Sequence, residues 1–442
     1  MSPVMTYRTL LRFWIPLATT WLMMSFEGPI IAAVVARMAN PKTNLAGYGI
    51  AFAIALVIEA PIMSMFGAST TLVRGRESLR RLNIFNHIMN ISLTIILGII
   101  LIPSIFNVIS EDLLRLEIEV RQASYWGLVG MLPWPAAIGY RRYWQGLLVS
   151  RGKTRLIAFG TAFRLITLFL MIAILRPHLD GAFLAGCCLG GSVVIEMFAI
   201  RWFARDAISY YRQTTDTVPT PTWGSITRFY WPLALTSVVT LSVSPIVTFF
   251  LSQGLLPLES LAVWPVASAC IFFFRAFGLS YHEAAIALLS EDSQNNRVLR
   301  RLAYIMAATI FFILAIALFT PLGVVIMSQA FGLSPDLVDV AIGTMLSMLL
   351  FPVSTVWINW QRAILIYHRI TLPLTWAGII EVIGVAATLF LGISASKLYQ
   401  IHWAGSVFGG IGLMAGRLAS CIFLHAVIST RGLETRKNPT AT

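Results

Sequence analysis

The stretch that decides the fold is RFWIPLA at residues 12–18, because the chain repeats it as RFYWPLA at residues 228–234. The two stretches lie 216 residues apart, about half of the 442-residue chain. Pro29 and Pro245 keep the same separation, so each copy begins a hydrophobic segment with two equally spaced prolines. A repeat on this scale predicts that the chain arose by duplication of one half.

Two further matches extend the repeat towards the end of each half. The Trp-Gln pair at 144–145 recurs at 360–361, again 216 residues later. The stretch AGCCLGG at 185–191 corresponds to AGSVFGG at 404–410, at a separation of 219. Four matches in the same order and at nearly one offset favour duplication over chance.

The composition restricts the class of protein. Hydrophobic residues make up 57% of the chain, charged residues only 12%, and the mean hydropathy is +0.79. An ordinary soluble domain is about 25% charged, so this composition excludes a cytosolic enzyme, a disordered protein and a disulfide-linked secreted domain. The apolar segments are long and continuous, which also excludes the alternating strands of an outer-membrane barrel. We therefore predict a polytopic α-helical membrane protein.

A membrane-spanning helix needs about 20 mainly apolar residues, and twelve segments meet this requirement. The predicted spans are 9–36, 45–73, 83–108, 122–150, 155–175, 181–204, 226–252, 260–288, 302–328, 337–365, 371–394 and 401–428. The expected fold is all-α, with two six-helix lobes related by a pseudo-two-fold axis along the membrane normal. The predicted parts are an N-lobe, a polar linker, a C-lobe and a tail, at 1–204, 205–225, 226–430 and 431–442.

The basic residues predict the orientation in the membrane. With a cytoplasmic N-terminus, cytoplasmic segments hold 19 lysines and arginines and the opposite side holds 6. This bias satisfies the positive-inside rule and predicts that both termini are cytoplasmic. It also accounts for most of the formal net charge of +13, so no nucleic-acid partner is expected. The compact loops, short tails and missing cleavable signal suggest a bacterial inner membrane.

Charged residues inside the predicted spans are the candidate functional residues. An ionised side chain at mid-bilayer costs at least ~2.5–3.5 kcal/mol, yet seven arginines and five glutamates fall there. Five of these twelve, Arg141, Arg142, Arg201, Arg362 and Glu283, are expected near the membrane interfaces. The deepest are expected to bind substrate or a coupling ion: Glu27, Glu59, Arg164, Arg275, Glu381 and Arg417. The twelve intramembrane charges sum to +2, and three arginines are among the deepest, which favours an anionic substrate.

The repeat relates two of these positions to opposite charges. Glu59 corresponds to Arg275 at the offset of 216, and Arg164 corresponds to the residue next to Glu381. We hypothesise that Glu59 and Arg275 line a central cavity, where they either form an ion pair or have separate roles in transport. In the second case Arg275 holds the anion while Glu59 carries a proton or repels the substrate. The alternative is a permanent structural ion pair.

Several stretches resemble the MATE-like superfamily of exporters and flippases. RRYWQGLLVSRGKTR at 141–155 resembles the segment that ends helix 4 of that group. Within the group the chain is most similar to the progressive ankylosis protein family, over diffuse stretches at 11–17, 48–61, 229–235, 244–247 and 265–266. The resemblance implies a twelve-helix, two-lobed, V-shaped exporter of small polyanions such as ATP, citrate or pyrophosphate.

The resemblance also bears on the ion site. An acid in helix 1 of the superfamily often binds the coupling ion, which implies such a role for Glu27, two residues before Pro29. The superfamily's acids in helices 7 and 10 have no counterpart here. Glu59 departs from the family at a position that would face the cavity.

The leading functional hypothesis is a secondary exporter of a small anion, working as a monomer among membrane lipids, with coupling to H⁺ open. Gln145 and Gln361 are candidates either for bridging helices or for contacting substrate, and His282 for titrating beside Arg275. No motif points to catalysis, a cofactor or a metal. A cationic multidrug antiporter and a flippase for lipid or lipid-linked sugar stay open, whereas a membrane-embedded transferase or a channel is disfavoured.

Overall fold

The computed structural model describes residues 7–216, 221–289, 293–368, 370, 372–400 and 403–433, and every regular element in these ranges is a helix. The first-half helices are α1 (Tyr7–Ser25), α2 (Glu27–Val35), α3 (Pro41–Glu59), α4 (Met65–Leu72), α5 (Arg76–Ile100), α6 (Pro103–Asn107), α7 (Ile118–Gly130), α8 (Trp134–Ser150), α9 (Arg155–Leu175) and α10 (Gly181–Phe203). A short helix, α11 (Arg205–Gln213), follows within the predicted linker.

The second half repeats this order of helices. Its helices are α12 (Trp223–Leu241), α13 (Val243–Gln253), α14 (Pro257–Leu288), α15 (Ser293–Phe319), α16 (Pro321–Val325), α17 (Pro335–Ser347), α18 (Phe351–Tyr367), α19 (Leu372–Leu398) and α20 (Gly405–Thr430). Residues 217–220 of the predicted linker and 434–442 of the predicted tail lie outside the described residues.

The first span of each half is broken at its second proline. Proline lacks the N–H that bonds to the carbonyl four residues earlier. For Pro29 that carbonyl belongs to Ser25, the last residue of α1, and for Pro245 it belongs to Leu241, the last residue of α12. The matched breaks therefore follow directly from the matched prolines.

The duplication is also visible in the helix bounds. The pair α7 and α8 has lengths of 13 and 17 residues, and α17 and α18 have the same lengths 217 positions later. A π-helical turn follows α6 at Val108–Leu113 and another follows α16 at Ile326–Ala330. Asn40 and Leu256, each directly before a proline-initiated helix, share a φ of 49°. Such a left-handed conformation is uncommon for leucine, so the repeat extends to backbone detail.

Eleven helices in the described ranges are long and apolar enough to cross a membrane. They account for the predicted spans except 122–150, which corresponds to α7 and α8 and carries Arg141 and Arg142. Two predicted spans, 83–108 and 302–328, differ from the observed helices at both ends. Their long helices end earlier than expected, at Ile100 and Phe319, because Pro103 and Pro321 begin separate short helices. They also begin earlier, at Arg76 and Ser293, because a prediction from hydropathy leaves out their polar first turns.

Contacts divide the chain into two compact units. Unit 1 comprises residues 1–37 and 250–442, and unit 2 comprises residues 38–249. The predicted lobes are consecutive in sequence, but the observed units are not. The first span belongs to the unit that contains most of the second half of the chain, and most of the seventh span belongs to the other unit. The division into lobes at 1–204 and 226–430 stays a prediction about which helices move together in transport.

In unit 1, α1 and α2 pack on α14. Trp14 donates its indole N–H to Ser280 Oγ at 2.9 Å, and Trp21 donates to Glu283 Oε1 at 3.0 Å. Arg37, after α2, donates to the carbonyls of Ala330 at 2.6 Å and Phe331 at 3.1 Å. A cation at these carbonyls caps the end of the π-helical turn, so the first span is fixed to this unit at both ends.

In unit 2, α12 packs beside the turn that follows α3. Tyr230 Oη donates to the carbonyl of Pro61 at 2.7 Å, and its ring lies edge-on to Phe85 with centroids 4.9 Å apart. Ser64 and Ser237 hydroxyls are 3.1 Å apart. These polar contacts give the seventh span specific partners in the first half of the sequence.

Glycines allow α7 and α10 of unit 2 to approach closely. A Cβ on Gly186 would collide with the backbone of Gly127, and one on Gly130 would lie 2.6 Å from the amide nitrogen of Cys187. Gly186 and Gly190 come from the repeated small-residue stretch identified in the sequence. Small residues let helix backbones pack closely in membranes, so this stretch serves helix packing.

We expect Gly186→Ala to destabilise the protein by roughly 1–3 kcal/mol, because the added methyl overpacks a backbone contact. Gly98→Ala is the matched control, since a Cβ there meets nothing within 4 Å. Alanine favours a helix over glycine by ~1 kcal/mol, so the control should be neutral or stabilising. The measurement is the midpoint of thermal unfolding in detergent, and equal midpoints for the two variants would contradict the packing argument.

Candidate functional site

Unit 1 contains a group of buried and partly buried charges on four helices. This unit 1 cluster consists of Arg275 on α14, Arg362 on α18, Glu381 on α19 and Arg417 on α20. Arg417 donates to Glu381 Oε1 from Nε at 2.9 Å and from Nη2 at 2.7 Å. Arg362 Nη2 lies 4.0 Å from Glu381 Oε2. One carboxylate therefore serves two guanidinium groups.

Arg275 is held in this cluster by neutral groups. Its Nε donates to Thr355 Oγ1 at 3.3 Å, and Arg417 Nη1 lies 3.4 Å from the same oxygen. The Thr355 hydroxyl donates its own hydrogen to the carbonyl of Phe351, which leaves its lone pairs for the two arginines. Both guanidinium carbons also stand over the Phe351 ring, at 4.5 and 4.7 Å from its centroid. Among the ion pairs of the described ranges, none includes Arg275.

The unit 1 cluster carries a formal excess of positive charge, with three arginines against one glutamate. Removing a charge from water without a partner is costly, and cation–π contacts offset only part of that cost. An anion placed beside Arg275 would neutralise the excess. The cluster therefore has the donor groups and the charge of an anion site.

Unit 2 contains a second group of buried charges: Glu59 on α3, Arg141 and Arg142 on α8, Arg164 on α9 and Glu196 on α10. In this unit 2 cluster, Glu196 Oε2 lies 2.8 Å from Arg141 Nη1 and 3.4 Å from Arg164 Nη1. Glu196 is fully buried and both arginines are nearly so. The charge of Arg141 is therefore paired within the helix bundle, and its depth in the membrane stays a prediction.

Glu59 ends α3, directly before the 3₁₀ turn that contains Pro61. Its carboxylate accepts a hydrogen bond from the indole N–H of Trp134, at the start of α8. It lies within electrostatic range of the three arginines of its cluster. Glu59 and Arg275 thus have separate partners, each inside its own unit.

Arg142 has few contacts for a buried cation. Its Nε is shielded from solvent without a hydrogen-bond partner among the described residues, and no described ion pair includes it. Arg142 was expected near a membrane interface from its place in the predicted span, and this stays a prediction. The sequence does signal that its charge is hard to pair locally, because it lies next to Arg141 in a predicted span, 122–150, that contains no acid.

One pair of equivalent positions in the two clusters carries opposite charges. Helix α9 begins at Arg155 and α19 at Leu372, an offset of 217 that places Arg164 in register with Glu381. In unit 2 the arginine lies on α9 and the glutamate on α10. In unit 1 the glutamate lies on α19 and the arginine on α20. From the sequence these four residues had no assigned partners, whereas the structure pairs Arg164 with Glu196 and Arg417 with Glu381.

The remaining predicted site residues occupy different surroundings. Gln361 donates from Nε2 to the carbonyl of Cys421 at 3.0 Å, so it bridges α18 and α20. Gln145 is buried in α8 and Glu27 is buried at the start of α2. His282 Nδ1 lies 3.1 Å from the carbonyl of Asn359. Substrate contact by the glutamines and ion coupling by Glu27 stay predictions.

One cavity of about 660 Å³ lies in unit 2, and none of the predicted site residues lines it. The ends of α3, α7 and α10 form it, and its lining includes Asn44, Glu119, Trp126 and Asp180. In the part of the chain that the structure describes, no group of three or more His, Cys, Asp or Glu side chains could hold a metal ion.

No known protein family and no curated protein matches this sequence. Among solved structures, an inward-facing multidrug resistance MATE transporter of the MOP superfamily has a TM-score of 0.74 and 14% identity, covering 96% of each chain. The lipid II flippase MurJ, in an inward closed conformation, has a TM-score of 0.71 and 14% identity, over 94% of this chain and 87% of that chain.

A MOP superfamily transporter from Pyrococcus furiosus, described as having reverse polarity of its binding pocket, has a TM-score of 0.66 and 14% identity over 95% of each chain. The chain therefore has the fold of the MOP superfamily transporters. The predicted all-α, MATE-like fold is confirmed, whereas membership of the progressive ankylosis protein family stays a prediction.

The Glu381–Arg417 pair gives a stability test of the unit 1 cluster. Glu381→Gln should cost about 3–5 kcal/mol, because it leaves buried arginines without their carboxylate. The double variant Glu381→Gln/Arg417→Gln should lose less, because it also removes the arginine that was stranded. Thermal unfolding in detergent measures both.

Glu111→Gln is the control for this test, since it breaks an ion pair with Arg121 in which the carboxylate is 61% exposed. Exposed pairs contribute ~0–1 kcal/mol, so its midpoint should hardly move. A double variant that is less stable than Glu381→Gln would contradict the buried-pair assignment.

Proposed function

We propose that this protein is a secondary active transporter that exports small organic or phosphorylated anions, of the citrate, pyrophosphate or ATP class, by alternating access. Its fold is that of proteins described as transporters and flippases. The observation that carries the choice of an anion is Arg275, a partly buried arginine oriented by Thr355 and Phe351, which no ion pair of the described ranges includes.

The buried charge supports an anion over a cation. The two clusters together hold six arginines and three glutamates. A cationic drug would approach a site that already has excess positive charge, whereas a carboxylate or phosphate can accept parallel hydrogen bonds from a guanidinium. Arg275, Arg417 and Arg164 are therefore the proposed substrate-binding cations, with Glu59, Gln361 and Gln145 as further proposed contacts.

Coupling to protons is part of the proposal. An incoming anion would compete with Glu381 for the guanidinium of Arg417, to which that carboxylate is bound at 2.7 Å. A proton on the displaced Glu381 would neutralise that carboxylate, which would otherwise be left without its guanidinium partner inside the bundle. Glu59 and Glu27 are the other proposed proton carriers. This exchange of partners would make anion binding and proton binding favour each other.

We also infer the setting in which the transporter works. Both termini face the cytoplasm, the protein lies in a cell membrane, and it functions as a monomer. The basis for the orientation is the positive-inside bias of the sequence. Consecutive six-helix lobes that rock about the site are the proposed moving parts.

A flippase for lipid or lipid-linked sugar is the second candidate, favoured by the similarity to the lipid II flippase MurJ. The same arginines could bind a lipid-linked phosphate. The assay that separates the candidates uses proteoliposomes, with labelled citrate, pyrophosphate and ATP, a cationic dye, and a fluorescent phospholipid whose sidedness is measured. Each substrate is tested with and without a pH gradient.

Replacing Arg275 by Ala should reduce anion uptake by about 10- to 100-fold, because charge-assisted hydrogen bonds contribute about 1.5–3 kcal/mol. The measurement is the initial rate of uptake into proteoliposomes. Arg301→Ala is the matched control, since this exposed arginine on α15 lies in the same unit outside the cluster.

Wild-type uptake by Arg275→Ala, with unfolding midpoints equal to the parent protein, would contradict the anion site. Dye movement without anion movement would identify a cationic antiporter instead. Lipid scrambling or flipping without movement of soluble anions would favour the flippase.

A further inference from the structure

One end of unit 2 collects the ends of several helices around α11. The buried side of α11 carries Ala207, Ile208 and Tyr211. Tyr211 Oη donates to Ser150 Oγ, at the last residue of α8, at 2.9 Å. The short helix is therefore held against the ends of the spans, and its polar side stays exposed.

The segment after α11 fixes this arrangement further. Asp216 Oδ2 accepts a hydrogen bond from the backbone N–H of Glu77 at 2.8 Å, at the start of α5. The Ser78 hydroxyl donates to Asp216 as well. A carboxylate at a helix N-terminus satisfies free N–H groups and is favoured by the helix dipole. Both ends of α11 are therefore anchored.

The outer side of α10 carries exposed apolar side chains in a helical stripe. Ile195, Phe198 and Trp202 are exposed by 36%, 64% and 64%, at spacings of three and four residues. Exposed apolar side chains along a membrane-spanning helix face the lipid tails. The stripe ends at Trp202, where the guanidinium carbon of Arg205 lies 4.5 Å from the ring centroid.

The neighbouring helix α9 has a similar apolar stripe, but here the charged end comes first in the sequence. Phe159, Phe163, Ile166 and Leu170 are exposed, and the stripe begins with exposed Arg155. The turn before α9 meets the start of α11, because Lys153 Nζ lies 3.1 Å from Asp206 Oδ2. Both lipid-facing stripes therefore end in an arginine at the same end of unit 2.

Aromatic rings orient the arginines at this end. The guanidinium of Arg151 stands 3.6 Å from the Tyr210 centroid, and that of Arg201 stands 5.5 Å from Trp144. A stacked guanidinium keeps its N–H edges free to bind phosphate in a fixed plane. Asp206, the one acid of α11, lies near Lys153 and Arg205, and the other basic residues of these helix ends are Arg151, Arg155, Arg201 and Arg212.

We propose that this headgroup surface, formed by these six basic residues and Trp202, binds the phosphate of an anionic phospholipid. The acyl chains of that lipid lie on the apolar stripes of α9 and α10. The stripes favour a lipid over a soluble anion, because they continue the charged surface directly into the lipid-facing side of the bundle. This lipid site lies apart from the buried clusters and is independent of the transported substrate.

The test is retention of phosphatidylglycerol by the full-length protein. The protein is reconstituted in equal parts of phosphatidylglycerol and phosphatidylcholine, re-extracted in mild detergent, and its bound lipids are counted by native mass spectrometry. Arg155→Gln/Arg205→Gln should retain phosphatidylglycerol about 25-fold less, since each of the two cations near a membrane surface contributes on the order of a fivefold gain in affinity. Arg205→Lys should show a smaller loss.

The control is Arg228→Gln/Arg301→Gln, which removes the same charge from exposed arginines on α12 and α15. It should retain phosphatidylglycerol like the parent protein. Equal retention by all variants, equal loss in the control, or equal retention of phosphatidylcholine would overturn the proposal. Displacement of the lipid by millimolar glycerol 3-phosphate would overturn it too, since the surface would then bind soluble anions.

Discussion

The cost of placing a charge inside an apolar bundle is the constraint on which the rest of this structure depends. Nine ionised residues lie within the two clusters, and the chain compensates them by three means. Glutamates form ion pairs with arginines, an indole N–H contacts Glu59, and an aromatic ring supports Arg275 and Arg417. These contacts connect α3, α8, α9 and α10 in one unit and α14, α18, α19 and α20 in the other. The same contacts that offset the cost therefore tie the helices together.

Two of the three acids in the clusters form ion pairs with arginines, whereas two of the bases have no carboxylate partner in the described ion pairs. Glu196 and Glu381 each have an arginine within 2.8 Å. Arg275 has only a hydroxyl and a ring, and Arg142 has a buried Nε without an acceptor among the described residues. A protein that only needed to be stable could replace such arginines by apolar residues of similar size. Their presence is consistent with a bundle that receives negative charge from outside the chain.

The sequence alone was sufficient for the helices and the duplication. The hydropathy of a segment indicates whether it avoids water. Prolines that recur at a constant offset, as Pro29 and Pro245 do, indicate that the same break in a helix occurs in both halves. The offset even placed Arg164 next to the counterpart of Glu381. Both kinds of signal are local or periodic, so a single sequence contains them in full.

The site was predicted less well, because burial and partner choice depend on helix rotation and neighbours. Arg141 reads as an interface residue from its place in the span, yet its charge is paired with Glu196 on another helix. The partnership of the first span with α14 was also unpredicted, since the contacts of Trp14 involve residues more than 250 positions away. Such long-range contacts leave no periodic trace along the chain.

The opposite charges at Arg164 and Glu381 have a consequence for the history of the gene. If both halves descend from one ancestral segment, at least one half changed the residue at this position. The partner charges on the following helices, Glu196 and Arg417, are 221 residues apart, whereas the matched stretch on those helices recurs at 219, so each half acquired its partner charge separately. A stage with an unpaired glutamate inside the bundle costs less than one with an unpaired arginine, because a carboxylate can be neutralised by a proton and a guanidinium cannot. The order of those ancestral substitutions is therefore constrained by acid–base chemistry.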